Sequence, residues 1–337
     1  MITIKEIARL AGVSPKTAER ALSGATKDIR RDARERAEKV RRIAEAHGYR
    51  PSELALSLRR GGVRSIGFMA DTLTDQFLSA AVETVMDEAA KQQFRVALQV
   101  VRCNKEQTLE AMKSLLASGV RGIITSCCPE QLPEMLIKTL EKQKYPLLTL
   151  CGRSGYGFSG VAPDYSAALE DAVISLQEKG HRKIVLCLFA GKNLDNERNG
   201  ELFRKCCQRH GIEAELRVNS ELHHAAVLAD ERHPAVILYG KYSMRVFLDR
   251  CAELGAHPDV VGIYNEWTLA SALNFPLHGI ILEQAERAVR LATQQVLSQV
   301  EGAASTVISM PAKFVPAGEL RNLHIPDLTN QRLFDYH

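Results

Sequence analysis

Absences narrow this chain quickly. No apolar stretch among its 337 residues approaches the roughly 18–20 needed to cross a bilayer. The longest, Ile184 to Ala190 (IVLCLFA), suits one buried strand, so no membrane partner is expected. The N-terminus, MITIKEIARLAG, scatters acid and base among apolar residues. It lacks the basic start, long apolar core and small-residue cleavage site of a secretory signal, which points to a cytoplasmic protein. The eight cysteines include two adjacent pairs but no CxxC and no Cys/His spacing suited to a tetrahedral zinc site, so they read as reduced thiols and no metal is assigned. No G-x-G-x-x-G follows the first apolar strand (SIGFMAD), and neither a P-loop nor a G-x-S-x-G elbow occurs. The chain therefore reads as no enzyme, with no catalytic residue and no cofactor.

The formal net charge is only +4, but it is unevenly distributed. Residues 1–64 carry 16 Lys and Arg against 8 Asp and Glu, a net +8, and the remaining 273 residues carry a net −4. An acidic partner belongs at the N-terminus.

Residues 1–50 are helical in pattern. Thr3 caps a short helix whose Ile4, Ile7, Ala8 and Ala11 share one face, and Gly12 ends it. Ser14-Pro15 opens a second helix, since the fixed φ of proline suits the first helical position, and it runs to about Leu22. A third spans about Arg30 to Ala46, with Ala33, Ala37, Val40 and Ala44 inward and Gly48 as its stop. Two short helices joined by a glycine-containing turn and closed by a third make a helix-turn-helix. From residue 64, short apolar runs (SIGFMA, RVALQV, RGIIT, YPLLTL, KIVLCLFA, PAVILYG, DVVGIY, GIILE) alternate with helical stretches of crossover length. That pattern means parallel sheet with helices on both faces. The glycine-rich segment 152–160 reads as the linker between two halves, and a ligand crevice is expected at the carboxyl ends of their strands.

The segment ITIKEIARLAGVSPKTAERALSG, followed by HGYRPSELALSLR, GHRKI (180–184), Arg198-Asn199-Gly200 and PDVVGI (258–263), resembles the LacI family of bacterial transcriptional repressors over nearly the whole chain. The resemblance implies an all-α helix-turn-helix headpiece (1–50) joined by a hinge helix and linker (51–63) to an α/β body. That body (64–337) would have two doubly wound, periplasmic-binding-protein-like lobes: an N-lobe of about 64–157 plus 283–311, and a C-lobe of about 158–282 plus 312–325.

The implied function is a repressor that binds a near-palindromic double-stranded operator as a homodimer and responds to a small molecule, with no enzymatic step. In a helix-turn-helix the N-terminal residues of the second helix meet base edges, which singles out Pro15, Lys16 and Arg20. Ser14 and Thr17 are placed for phosphates, and Thr3 is a further DNA-binding candidate. Glu19 departs from the family's usual serine, and either reads a cytosine amino group or pairs with Lys16, the pairing being favoured. Tyr49 reads as core. Between Arg20 and Tyr49 the chain holds about four more residues than the family spacing, either a plain loop insertion or a longer phosphate-tracking edge. In the hinge, Leu58 matches the leucine that wedges into the minor groove, with Ala55 packed beside it.

For the effector, matching positions are Asp71, Phe77, Arg198, Lys241 and Tyr264. Lys241 and Tyr264 stand where the family usually has amide or acidic groups for sugar hydroxyls. This shifts the crevice towards positive charge and favours a sugar derivative such as a sugar acid or sugar phosphate over a neutral sugar. The rival reading from another class is a cytosolic ligand-binding protein of the same body fold without a regulatory role.

Overall fold

The computed structural model describes residues 2–22, 31–49, 64–102, 104–150, 152, 154–188, 194–218, 221–230, 233–239, 241–265 and 278–320. They form two compact units, Met1–Arg64 and Ser65–His337. The hinge, with Ala55 and Leu58, lies outside the described residues, as does most of the extra segment before the third helix.

The first unit holds three helices: α1 (Ile4–Ala11), α2 (Pro15–Leu22) and α3 (Arg31–Ala46). Thr3 and Glu6 form a reciprocal capping box at the start of α1. Gly12 ends that helix at φ +69°, where its N–H reaches the carbonyls of Ala8 and Arg9; the left-handed conformation suits a residue without Cβ. Ile7, Ala8, Ala11, Ala18, Ala21, Ala37, Val40 and Ala44 make the core. Alanines on every facing surface let three short helices approach closely. Of the stripe expected on α3 only Ala33 is merely half-buried. Arg41 Nε donates to the Ala21 carbonyl at 3.2 Å, giving the end of α2 a partner it lacks within its own helix.

The second unit alternates strand and helix: β1 (Ser65–Ala70), α4 (Gln76–Lys91), β2 (Arg95–Val100), α5 (Lys105–Ala117), β3 (Ile123–Thr125), α6 (Glu134–Lys142), β4 (Leu147–Thr149) and β5 (Ser159–Asp164). It continues through α7 (Ser166–Glu178), β6 (Lys183–Leu188), α8 (Leu194–Arg209), β7 (Glu213–Val218), α9 (Glu221–Leu228), β8 (Ala235–Tyr239), α10 (Lys241–Leu254) and β9 (Val260–Asn265). β10 (His278–Leu282), α11 (Ala285–Val300), β11 (Val307–Val315) and α12 (Ala317–Leu320) complete it. The strands lie in the order β2-β1-β3-β4-β5-β11-β10-β9-β8-β6-β7. Read from either edge, five strands follow the same 2-1-3-4-5 winding, so the body is one doubly wound plan used twice. All neighbours are parallel except β10 and β11. β1, β6 and β8 are buried along their whole length, as strands covered on both faces must be.

β5 pairs with β4 and with the first half of β11, so Ser159–Asp164 continues the sheet that begins with β2 and β1. The glycine-rich segment 152–160 leads into β5. Its composition has a local cause: a Cβ on Gly160 would sit 2.4 Å from the Gly152 carbonyl oxygen, so two backbone segments touch there.

Candidate nucleic-acid interface and ligand crevice

On α2 the buried residues are Ala18 and Ala21, while Pro15, Lys16, Thr17 and Arg20 are exposed. Positions 16, 17 and 20 fall one helical turn apart at most, so a base and a guanidinium share one outward face. The Ser14 Oγ caps this helix, accepting from the Thr17 N–H at 3.2 Å and lying 2.8 Å from the Thr17 hydroxyl. The Thr3 hydroxyl likewise engages Glu6, at 3.0 Å from its Oε2. Hydrogen bonds from the Thr3 backbone and hydroxyl hold the Glu6 carboxyl below the usual range. The three hydroxyls marked for DNA thus also take part in the starts of their own helices. Tyr49 packs on the headpiece core. Burial, and secondarily the charge of half-buried Glu19, push its phenol pKa up.

In the body, register locates a crevice. β5 runs parallel to β11, with its last residue, Asp164, opposite Pro311. β10 runs antiparallel to β11, with its last residue, Leu282, opposite Ala312. The carboxyl ends of both lobes therefore meet at the middle of one shared strand, and the chain passes between lobes there three times. Loops at those ends face the same space, where doubly wound proteins bind ligands.

On the first-lobe side Asp71 follows β1, and the residues after β3 hold it. Ser126 Oγ accepts from the Asp71 N–H at 2.9 Å and lies 3.3 Å from Asp71 Oδ2, and the Cys127 thiol donates to Oδ1 at 3.0 Å. Phe77, on α4, packs against the main core. On the second-lobe side Tyr239 ends β8. Its hydroxyl accepts from Asn199 Nδ2 at 3.1 Å, and its ring meets Tyr165 edge-on at 5.6 Å. Arg198, expected as an effector ligand, is exposed on α8, whereas the next residue, Asn199, is buried and reaches the end of β8. Gly200 then lets α8 settle on β7, since a Cβ would come 2.8 Å from Leu216 Cδ1. Lys241 opens α10 directly beyond β8, and Tyr264 lies in β9 opposite Ile281; the description of both stops at the backbone.

Sequence reasoning missed Ser126, Cys127, Asn199 and Tyr239. The first two carry a usable signal, because they immediately follow a strand next to the winding's switch point. Among the described residues no three His, Cys, Asp or Glu side chains are grouped to hold a metal ion, and no helix is long and apolar enough to cross a membrane.

Comparison with known proteins agrees with this architecture. Residues 3–52 match the family model for bacterial regulatory proteins of the lacI family. The chain is 30% identical over 186 residues to the HTH-type transcriptional regulator PtxS of Pseudomonas putida, covering 55% of this chain and 53% of that one. It is 27% identical over 282 residues to the HTH-type transcriptional repressor PurR of Vibrio atlanticus, covering 81% and 76%. The matches to PtxS and to the catabolite control protein A of Priestia megaterium span about half the length of each. The fold superposes on the Lac repressor dimer bound to operator and the anti-inducer ONPF with a TM-score of 0.77, at 20% identity, over 93% of this chain and 97% of that one. Residues 3–52 thus match the lacI family of bacterial regulatory proteins, and the chain as a whole shares the fold of the Lac repressor.

Proposed function

We propose that this protein is a transcriptional repressor that binds a near-palindromic operator as a homodimer and is controlled by a small polyhydroxylated effector between its lobes. The observation that carries the reading is the exposed Lys16, Thr17 and Arg20 face of α2 on a unit of net charge +8. Similar proteins are named as a transcriptional regulator and a transcriptional repressor. Pro15, Lys16 and Arg20 read base edges in the major groove, Arg20 by a bidentate pair to guanine, and Thr3, Ser14 and Thr17 contact phosphates. In the hinge, Leu58 wedges into the minor groove with Ala55 beside it.

The effector is assigned as a sugar acid or sugar phosphate. Asp71 supplies an acceptor for hydroxyls on one wall, while Lys241 and the N-terminus of α10 favour an anionic group on the other. Arg198, Phe77 and Tyr264 are assigned to the same effector site. Self-association is assigned to the outer edge of β2, the first strand of the sheet, where Leu98 and Val100 are 39% exposed beside Met86 at 52%. An apolar strand edge left open is a template for a second copy.

A salt titration of binding to a labelled promoter fragment tests the DNA reading. Neutralising six to ten phosphates gives a log–log slope of about −5 to −9. Flat or undetectable binding by the intact protein, with and without a metabolite extract, rejects it in favour of a plain ligand-binding protein. Calorimetry with D-glucose, D-gluconate and glucose 6-phosphate tests the effector class, and preferential binding of the neutral sugar sinks the anionic assignment.

A further inference from the structure

Asp71 is the one acidic side chain assigned to the crevice, and it is half-buried at the end of β1. Two side chains behind it are almost wholly inaccessible: Ser126 is 1% exposed and Cys127 2%. Each reaches a different carboxylate oxygen, the hydroxyl of Ser126 at 3.3 Å from Oδ2 and the thiol of Cys127 at 3.0 Å from Oδ1. The Ser126 oxygen also takes the backbone N–H of Asp71, so one hydroxyl fixes both ends of that residue. Cys127 is anchored in turn, its N–H donating to the Thr125 Oγ1 at 2.9 Å. A carboxylate has about four lone-pair directions. Two are taken from the protein side, which leaves the others turned towards solvent in one fixed orientation. This arrangement suits a pair of neighbouring hydroxyls donating together, and it lowers the ordering cost that a free aspartate would bring to ligand binding.

We propose that Cys127, with Ser126, is a positioning residue for effector recognition, its thiol locking Asp71 as a preset acceptor for a vicinal diol. The proposal rests on the crevice reading above but has a signature of its own. In ligand-free, full-length protein, the S–H stretching band lost on Cys127→Ala is displaced to lower frequency relative to an unbonded thiol. Asp71→Asn moves that band back towards the unbonded position, because the acceptor charge is gone. In calorimetry with D-gluconate, Cys127→Ala weakens affinity about tenfold, or ~1.4 kcal/mol. Cys127→Ser, which keeps a donor, restores most of it, and Ser126→Ala gives a loss of similar size. A Cys127 band at the unbonded position, unmoved by Asp71→Asn, overturns the positioning role, as does Cys127→Ala binding D-gluconate as tightly as Cys127→Ser. A displaced, Asp71-dependent band with no binding of any sugar or sugar acid upholds the Cys127–Asp71 lock and overturns the effector assignment instead.

Discussion

Arg20 and Lys183 are both single cations whose surroundings dictate opposite outcomes. Arg20 is exposed on α2 and contributes nothing to the alanine core, so replacing it leaves folding intact. Arg20→Ala is expected to lower specific operator affinity by about 1–3 kcal/mol and to relax selection at one guanine position. Binding measured against operators varied at each base pair checks this, and uniform weakening across all of them assigns Arg20 to phosphate instead. Lys183, at the start of β6, is 5% exposed and lies within 2.6 Å of Asp230 and in contact with Glu215. Burial works against its charge, yet the hydrogen bonds it donates to Asp230 and Glu215 prevail and its pKa is raised. Removing the cation takes this ion pair from the partly buried Asp230, while Glu215 keeps its contact with Arg217. Lys183→Met is therefore expected to destabilise the body by about 3–5 kcal/mol, read from urea unfolding. Operator contacts on the headpiece give no reason for a matching loss of intrinsic DNA selectivity.

At the scale of elements, the amino ends of the second lobe's strands are tied by one polar cluster. Lys179, at the end of α7, donates to Asp259 before β9 and to His278 Nε2 at the start of β10, the latter at 2.7 Å; His181 Nε2 lies 2.8 Å from Asp259. Because an ammonium can only donate, His278 accepts through Nε2 and is neutral, its ring stacked on Phe314. Burial first, then the charge of Lys179, push its pKa down, with Asp259 acting the other way. The unfolded chain therefore takes up this proton first. The contribution of His278 is complete above the ordinary histidine value of about 6.5 and is lost as pH falls through the lower folded value. Asp259, also held low, adds a second loss in more acidic solution. The melting temperature is expected to fall between pH 7.5 and 5.5, and His278→Phe should flatten that dependence; an unchanged slope excludes His278 as its source. Nothing in the sequence brings residues 179, 181, 259 and 278 together, because the contact depends on strand order. The elements themselves were legible. Thr3, Gly12, Ser14-Pro15 and Gly48 punctuate the headpiece helices, and unbroken apolar runs mark the buried strands. Within the segment read as a linker, glycine at 160 marks close backbone contact, which composition alone does not reveal. Asn199 escaped notice because an arginine beside it offered more obvious chemistry.

For the molecule as a whole, the near-neutral +4 is the sum of two differently charged parts, a +8 headpiece and a −4 body. The body's acidity discourages non-specific adhesion to DNA while leaving the headpiece to find it. Between them lies PSELALSLRR, the segment proposed as the hinge; isolated helices below about 12–15 residues are marginal in water. In the proposed switch, a change between lobes would act on the operator through this segment. Thermodynamic linkage then makes a symmetric demand. The factor by which D-gluconate changes operator affinity must equal the factor by which operator changes D-gluconate affinity. Leu58→Ala removes the proposed wedge at a position separate from the residues assigned to the effector site. It should weaken operator binding, leave D-gluconate affinity of the DNA-free protein unchanged, and shrink the coupling factor equally in both directions. Fluorescence anisotropy on labelled operator and calorimetry on the effector side supply the two factors. Unchanged operator affinity in Leu58→Ala removes the wedge from the mechanism, and full coupling with weakened DNA binding moves the switch out of the hinge and into the dimer contact along β2.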